Sequence, residues 1–214
     1  GDSFPRDVVE LQSYFASPDA IQKVRAVPGA GLNIPIWLLG SSLFSAQLAA
    51  MLSLPFAFAS HFAPDHLMDA LSMYRRKFVP SETMAKPYAM AGMSLIAAET
   101  DFEAKRLATS GQQQFLKMRR GEAGPLPPPV ATMDGQWSVV EEAQMNHMAR
   151  YAAVGSPDTV RQRLTDFIAM TKVDEIILTG HVYDHAARLK SFEIASEVRT
   201  SLVGAGSVGD HHAR

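Results

Sequence analysis

The hydrophobic and polar positions divide the chain into short apolar runs and longer segments with helical spacing. Four apolar runs predict buried strands, at residues 34–39, 54–60, 88–97 and 174–179. Helical spacing of apolar residues, together with start and stop signals, predicts helices at residues 7–15, 44–52, 64–78, 101–120, 141–151, 157–172 and 184–202. Strands that alternate with helices indicate a parallel α/β fold.

The predicted strands also indicate how the sheet is covered. Each strand is apolar on both faces, which requires helices on both sides of the sheet or closure of the sheet into a barrel. Four strands are half of the eight strands in a (β/α)8 TIM barrel. We therefore expect residues 1–202 to form a portion of one such barrel domain, with the chain beginning inside the architecture. Residues 203–214 are expected to be a disordered tail.

The turn after the first predicted strand has the composition of a phosphate site. Gly40, Ser41 and Ser42 separate this strand from an Ala- and Leu-rich helical pattern. Backbone N–H groups converge at a helix N-terminus, the helix dipole favours an anion there, and hydroxyl groups add donors. The turn therefore predicts binding of a phosphate-bearing cofactor.

A histidine follows the second predicted strand at the same edge of the sheet. His61 comes directly after the run LPFAFAS, where it can contact a cofactor or a substrate, or transfer a proton. The alternative is a loop histidine without a chemical role. Phe58 and Phe62 flank His61, and core packing is the favoured interpretation for both.

Two further histidines lie near the last predicted strand. His181 and His185 have the i, i+4 spacing that can hold a metal on a helix, but no third ligand of known spacing accompanies them. We expect no metal site there. Asp184 is expected to cap the last helix.

Composition excludes several classes of function. The chain has 214 residues, a net charge of -2 and no cysteine, so disulfides and thiolate chemistry are excluded. It contains no apolar run long enough to cross a bilayer and no signal peptide, which predicts a soluble, cytoplasmic protein without a membrane partner. Basic residues cluster only at predicted helix C-termini, where cations are favoured in any case, so no nucleic-acid partner is expected: Arg75, Arg76, Lys77, Lys117, Arg119 and Arg120.

The segments GSSLFSAQLAA, LPFAFASHFAP and YAAVGSPDTVRQRL…VDEIIL resemble the bacterial luciferase-like flavin-dependent monooxygenases. Members of that family look like (β/α)8 barrels. The chain resembles their second half, from strand five to helix eight, so the resemblance implies a fragment or a truncated chain. The first four strands of the family, which carry much of the flavin ring pocket, are missing.

The resemblance also implies an activity. Reduced FMN and O2 would oxidise a small organic substrate, a flavin reductase would supply the reduced flavin, and the protein would be a homodimer. Gly40, Ser41 and Ser42 match the phosphate-binding turn of the family, and Ser45 falls one turn into the following helix. The alternative is that the serines only cap and pack the helix. His61 is the candidate catalytic residue.

Two other functions remain open from the sequence. Relatives with a deazaflavin cofactor share phosphate turns of this type, so the turn does not distinguish the two cofactors. A non-catalytic flavin-binding or subunit-interaction protein would retain the same motifs.

Overall fold

The computed structural model describes residues 3–18, 22–122 and 124–206, which form five strands and seven helices. The strands are β1 (Leu38–Gly40), β2 (Phe56–Phe58), β3 (Ala89–Ala97), β4 (Ala153–Gly155) and β5 (Glu175–Thr179). The helices are α1 (Phe4–Phe15), α2 (Leu43–Met51), α3 (Leu67–Lys77), α4 (Asp101–Arg119), α5 (Val139–Met148), α6 (Pro157–Thr171) and α7 (His185–Gly206).

The strands form one parallel sheet, which confirms the predicted α/β class. β1 pairs with β2, β2 pairs with the first residues of β3, and β3 also pairs with β5 and β4. β5 lies beside residues 90–94 of β3, and β4 lies beside residues 95–97. Because all strands run in one direction, the turns that follow them emerge at the same edge of the sheet.

The two faces of the sheet have different environments. The odd-numbered residues of β3 pack into the main hydrophobic core with α2, α3, α6 and α7. Successive side chains of a strand point to opposite faces, so Gly92 and Ser94 lie on the other side. The register places Ile177 and Thr179 beside them. We call this surface the open face, because Leu39 is 68% exposed and Ile177 is 52% exposed.

Two predicted strands are shorter than expected, and one was missed. β1 and β2 begin only at Leu38 and Phe56. Pro35 and Pro55 precede them, and a proline has no N–H to donate to a ladder. β4 has three residues, too few to show a period in the sequence.

The ends of four helices also differ from the prediction by three or four residues, and one of them, α5, ends at Met148 rather than at residue 151. α1 starts earlier, at Phe4, with a proline in its first turn. α3 starts later, at Leu67, and Asp65 precedes the helix. α7 continues to Gly206, so the first residues of the predicted tail are helical, and residues 207–214 lie outside the described residues. No helix in the described ranges is long and apolar enough to cross a membrane.

Candidate functional site

The turn between β1 and α2 is organised by its serines. Ser42 is the N-cap of α2, and its Oγ accepts a hydrogen bond from the Ser45 amide at 3.3 Å. The Ser45 hydroxyl is buried and donates to the Ser42 carbonyl at 2.8 Å. These two hydroxyls therefore cap and pack the helix, as the alternative interpretation of the sequence predicts. Their hydroxyl groups shape the turn, but they bond mainly to each other and to the backbone of the turn.

Gly40 allows α2 to start directly against the end of β1. A Cβ on this residue would overlap the Oγ and Cβ atoms of Ser45. The glycine is thus required for the close approach of strand and helix, which brings the first amides of α2 to the carboxyl edge of the sheet.

Several donors at this turn remain free. The amides of Leu43 and Phe44 belong to the first turn, which an α-helix does not satisfy itself. Within the described ranges they have no acceptor, and the Ser41 hydroxyl has no hydrogen-bond partner. The first turn of α2 also contains no acidic residue. The N-terminus of α2 is therefore a partial positive charge without an internal counter-charge.

The N-terminus of α6 has a similar construction but a different outcome. Gly155 ends β4, Ser156 is the N-cap, and a Cβ on Gly155 would overlap Thr159. Here the carboxylate of Asp101 accepts a 2.6 Å hydrogen bond from the Ser156 amide. This bond, with further bonds from the hydroxyls of Thr159 and Ser156, holds the pKa of Asp101 below its usual range. An internal anion therefore occupies the helix start.

Comparison of the two turns identifies the available anion site. Both combine a strand-end glycine, a serine N-cap and a hydroxyl residue at the third helical position. The α6 turn is filled by the carboxylate of Asp101, whereas within the described ranges no carboxylate contacts the α2 turn. An external anion can therefore bind at the α2 turn without displacing a side chain.

His61 follows β2, the strand that pairs with β1, and so lies at the same edge of the sheet as this turn. The Ala59 amide donates to the Gly40 carbonyl at 3.0 Å, which joins the two strand ends. The hydroxyl of buried Ser60 donates to the Gly92 carbonyl. The His61 ring lies where a side chain of Gly92 would be, since a Cβ there would overlap its Nδ1. The fold thus brings His61 to the open face over β3, at the same edge of the sheet as the candidate phosphate site.

The environment of His61 favours its neutral form. Burial lowers the pKa of His61, and the nearby His181 lowers it further. Its Nδ1 is buried and has no hydrogen-bond partner in the described part of the chain. On the same face, two positions along from Ile177, the hydroxyl of Thr179 is also buried and unpaired. These atoms are polar groups that a bound molecule or water can satisfy.

The two aromatic residues beside His61 lie in different environments. Phe58 is fully buried in the main core, as expected, but Phe62 is 65% exposed. The prediction for Phe62 was therefore wrong. The turn after β2 points it to solvent, because the strand ends at Phe58 and its alternation does not continue.

The C-terminal histidines do not form a metal site. α7 begins at His185, so His181 precedes the helix and the i, i+4 geometry does not arise. No cluster of three or more His, Cys, Asp or Glu side chains occurs among the described residues. Asp184 accepts a 2.7 Å hydrogen bond from the Ala187 amide, which confirms its predicted role as a cap.

Sequence reasoning missed three residues of this region. Gly92 makes room for His61, Asp101 fills the competing helix start, and Arg150 contacts the segment after His61. A glycine inside an apolar strand signals a close approach of another group, and Gly92 could have been noticed on that ground. The partners of Asp101 and Arg150 lie far away in sequence, so no local signal identifies them.

Comparison with known proteins then assigns the chain to a family. A family model described as luciferase-like monooxygenase matches residues 4–175. The chain belongs to this family. It is 51% identical over 203 residues to a luciferase-like monooxygenase of Escherichia coli (strain K12). The aligned region covers 95% of this chain and 61% of that relative. This luciferase-like chain thus spans about three-fifths of the length of the curated relatives it matches.

Solved structures with the same fold include flavin enzymes. The crystal structure of apo-MsnO8 superposes with a TM-score of 0.77 at 29% identity, over 94% of this chain and 60% of that one. The oxygenating constituent of 3,6-diketocamphane monooxygenase of Pseudomonas putida, solved in complex with FMN, gives a TM-score of 0.55 at 19% identity. That match covers 83% of this luciferase-like chain and 52% of the structure, and it supports the fold alone.

Proposed function

We propose that this chain is the FMN phosphate-binding part of a luciferase-like monooxygenase, an oxidoreductase that acts on a small organic substrate. The observation that carries the proposal is the α2 N-terminus, which offers free amides and no internal acid while the matching α6 N-terminus is filled by Asp101. Family membership and a fold relative solved with FMN support the choice of a flavin.

The residues of the α2 turn have distinct tasks in this proposal. The amides of Leu43 and Phe44 and the hydroxyl of Ser41 bind the phosphate. Gly40 admits the helix start to the sheet edge, while Ser42 and Ser45 hold the turn in shape. Reduced flavin, supplied by a separate reductase, would furnish the reducing power with which O2 oxidises the substrate.

His61 is proposed as the chemically active side chain next to this turn. Its lowered pKa makes the ring neutral at neutral pH, so it accepts or donates a hydrogen bond without a standing charge. Since the imidazole lies on the open face over Gly92, it is placed to contact flavin or substrate and to hold a proton at a ring nitrogen.

The parallel strand order supports assignment of this sheet to the second half of a TIM barrel. β1, β2 and β3 are neighbours in chain order, as consecutive barrel strands are, and β5 pairs with β3 with only the three-residue strand β4 between them in the chain. The open face, which would line the barrel interior, exposes Leu39 and Ile177. We infer that strands supplied by the longer protein complete the ligand pocket.

Anaerobic titration with reduced FMN and reduced riboflavin tests the proposal, because riboflavin lacks only the phosphate. We expect FMN to bind more tightly than riboflavin. Ser41→Ala, which breaks no hydrogen bond among the described residues, should weaken the binding of FMN alone and so narrow the difference in affinity between FMN and riboflavin. Ser156→Ala is the matched control, since it removes an N-cap hydroxyl from α6 and should leave the ratio unchanged.

Three outcomes would contradict the proposal. Equal affinities for FMN and riboflavin would mean that the turn binds no phosphate. Tighter binding of a deazaflavin that carries a phosphate would assign the other cofactor to the same turn. Absence of binding to any of these flavins, in a chain that is folded, would favour a subunit-interaction role over the proposed function.

A further inference from the structure

The segment that carries His61, residues 59–66, is held at its start by the sheet. Ala59 donates to the Gly40 carbonyl at 3.0 Å, and buried Ser60 donates through its hydroxyl to the Gly92 carbonyl. These bonds fix the backbone immediately before His61. A turn continues this order past His61, since the Phe62 and Ala63 amides both donate to the Ala59 carbonyl, at 3.0 and 2.9 Å. The later residues of the segment, Pro64 and Asp65, need a separate contact.

The end of the same segment is held by the region after α5. The Nη2 atom of Arg150 donates to the Pro64 carbonyl at 2.6 Å, and its Nη1 atom lies 3.7 Å from an Asp65 carboxylate oxygen. The Nε2 atom of His147 lies 2.6 Å from the same oxygen. Two cationic or polar side chains therefore converge on Pro64 and Asp65, just before α3 begins.

Arg150 is itself anchored to the core. Its guanidinium carbon lies 4.8 Å from the ring centre of Tyr151. The Tyr151 and Phe167 rings pack edge to face, with 5.6 Å between their centres. Phe167 is buried in the main core. A guanidinium stacked on an aromatic ring has few alternative positions. The stacking on Tyr151 therefore fixes the Arg150 guanidinium relative to the core, and Arg150 in turn holds the Pro64 carbonyl.

We propose that Arg150 is a positioning residue that holds the His61 segment against β3. The inference rests on the proposed function for the use of His61, although the placement of the ring can be measured without flavin. Arginine suits this task because its planar fork reaches a carbonyl and a carboxylate at once. The ammonium of a lysine is a single point and cannot hold both in the same geometry.

Other titratable and charged groups also contact the His61 segment or lie near its ring, so their influence on His61 must be separated from that of Arg150. His147 shares Asp65 with Arg150, and His181 approaches the His61 ring from the turn after β5. Asp65→Asn weakens the contacts of both His147 and Arg150 to the side chain but leaves the Arg150 bond to the Pro64 carbonyl. Arg161 is an exposed arginine on α6 that pairs only with Asp158 among the described residues, so Arg161→Gln is the matched control.

NMR of the histidine rings in the 214-residue chain tests the proposal. The Cε1–H resonance of His61 is assigned by its loss in His61→Gln and followed through a pH titration in each variant. Arg150→Gln should shift this resonance and raise the titration midpoint, because a released ring becomes hydrated. Arg150→Lys and Asp65→Asn should give smaller shifts in the same direction, and Arg161→Gln should give none.

Thermal unfolding of the same variants separates positioning from general stability. Arg150→Gln with a lowered Tm but an unchanged His61 resonance would overturn the proposal, as would an equal shift in Arg161→Gln. The outcome is independent of the flavin titration. A shifted His61 in a chain that binds no FMN would support the positioning role and contradict only the proposed function.

Discussion

At the scale of single residues, absent side chains determine the geometry of the candidate site. Gly40 leaves the space that Ser45 fills, and Gly92 leaves the space that the His61 ring fills. Neither glycine needs an unusual backbone conformation. Each supplies room at the carboxyl edge of the sheet, where a methyl group would displace a neighbour that the site uses.

Gly40→Ala should therefore destabilise the protein. The new Cβ would overlap Ser45, and overpacking of this kind costs roughly 1–3 kcal/mol. Urea unfolding followed by circular dichroism measures the loss. Gly124→Ala is the control, since nothing lies within 4 Å of a Cβ at that position, and it should change the free energy of unfolding by less than about 0.5 kcal/mol. A similar loss in both variants would contradict the packing argument.

Tyr74 is a second residue whose effect can be isolated. Its buried hydroxyl donates to the Leu54 carbonyl at 2.9 Å and accepts from the Tyr88 amide at 3.1 Å. Tyr74→Phe leaves the Tyr88 amide without this acceptor, so unfolding should become easier by about 1–2 kcal/mol. Tyr183→Phe, at an exposed position, should leave the urea midpoint unchanged.

At the scale of elements, two helix starts of similar construction have different electrostatic partners. α6 has the carboxylate of Asp101 at its N-terminus, and α2 has no such partner among the described residues. The dipole of α6 therefore stabilises the fold through Asp101, whereas the dipole of α2 is available for a ligand.

The Asp101 contact predicts a pH-dependent contribution to stability. Because the folded-state pKa of Asp101 is lowered, its stabilisation is complete above the ordinary carboxyl pKa of about 4 and is lost as the pH falls through the folded value. Asp101→Asn should lower the unfolding midpoint at pH 7, and the difference from the parent chain should shrink below about pH 4. A difference that stays constant with pH would exclude the charge as its cause. Asp158→Asn, at a 93% exposed carboxylate in the first turn of α6, is the control.

At the scale of the whole molecule, the open face and the β1 edge of the sheet expose apolar side chains and unpaired backbone groups in the described part of the chain. Leu39 and Ile177 are exposed apolar side chains on this face, and β1 pairs with only one strand, β2, in the described part of the chain. Exposed apolar surface next to an unpaired edge strand favours association. In the proposed barrel, further strands would cover this face.

We therefore expect the isolated 214-residue chain to self-associate, with a homodimer as the simplest outcome. Light scattering coupled to size exclusion measures the mass. Ile177→Lys should reduce association, whereas Val139→Lys, on an 83% exposed position of α5, should not. A parent chain that is monodisperse and monomeric would contradict this prediction.

Agreement between sequence and structure is best where short-range chemistry decides. The predicted helix starts at residues 101 and 157 are confirmed, and Thr100 and Ser156 are their N-caps. β3 and β5 match their apolar runs within one residue. β4 could not be predicted, because its three residues are held by pairing with β3 rather than by a pattern of their own.

The sequence alone determined the alternation of strands and helices, the caps and the candidate turn at Gly40, because these depend on residues within a few positions of each other. The tertiary structure decided which helix start is open, since the Asp101 carboxylate reaches Ser156 from 55 positions away. It also decided the surroundings of His61, where Gly92 leaves room for the ring and Arg150 binds the Pro64 carbonyl of the same segment. Contacts between distant segments arise from how the sheet brings strand ends together, and no local pattern records them.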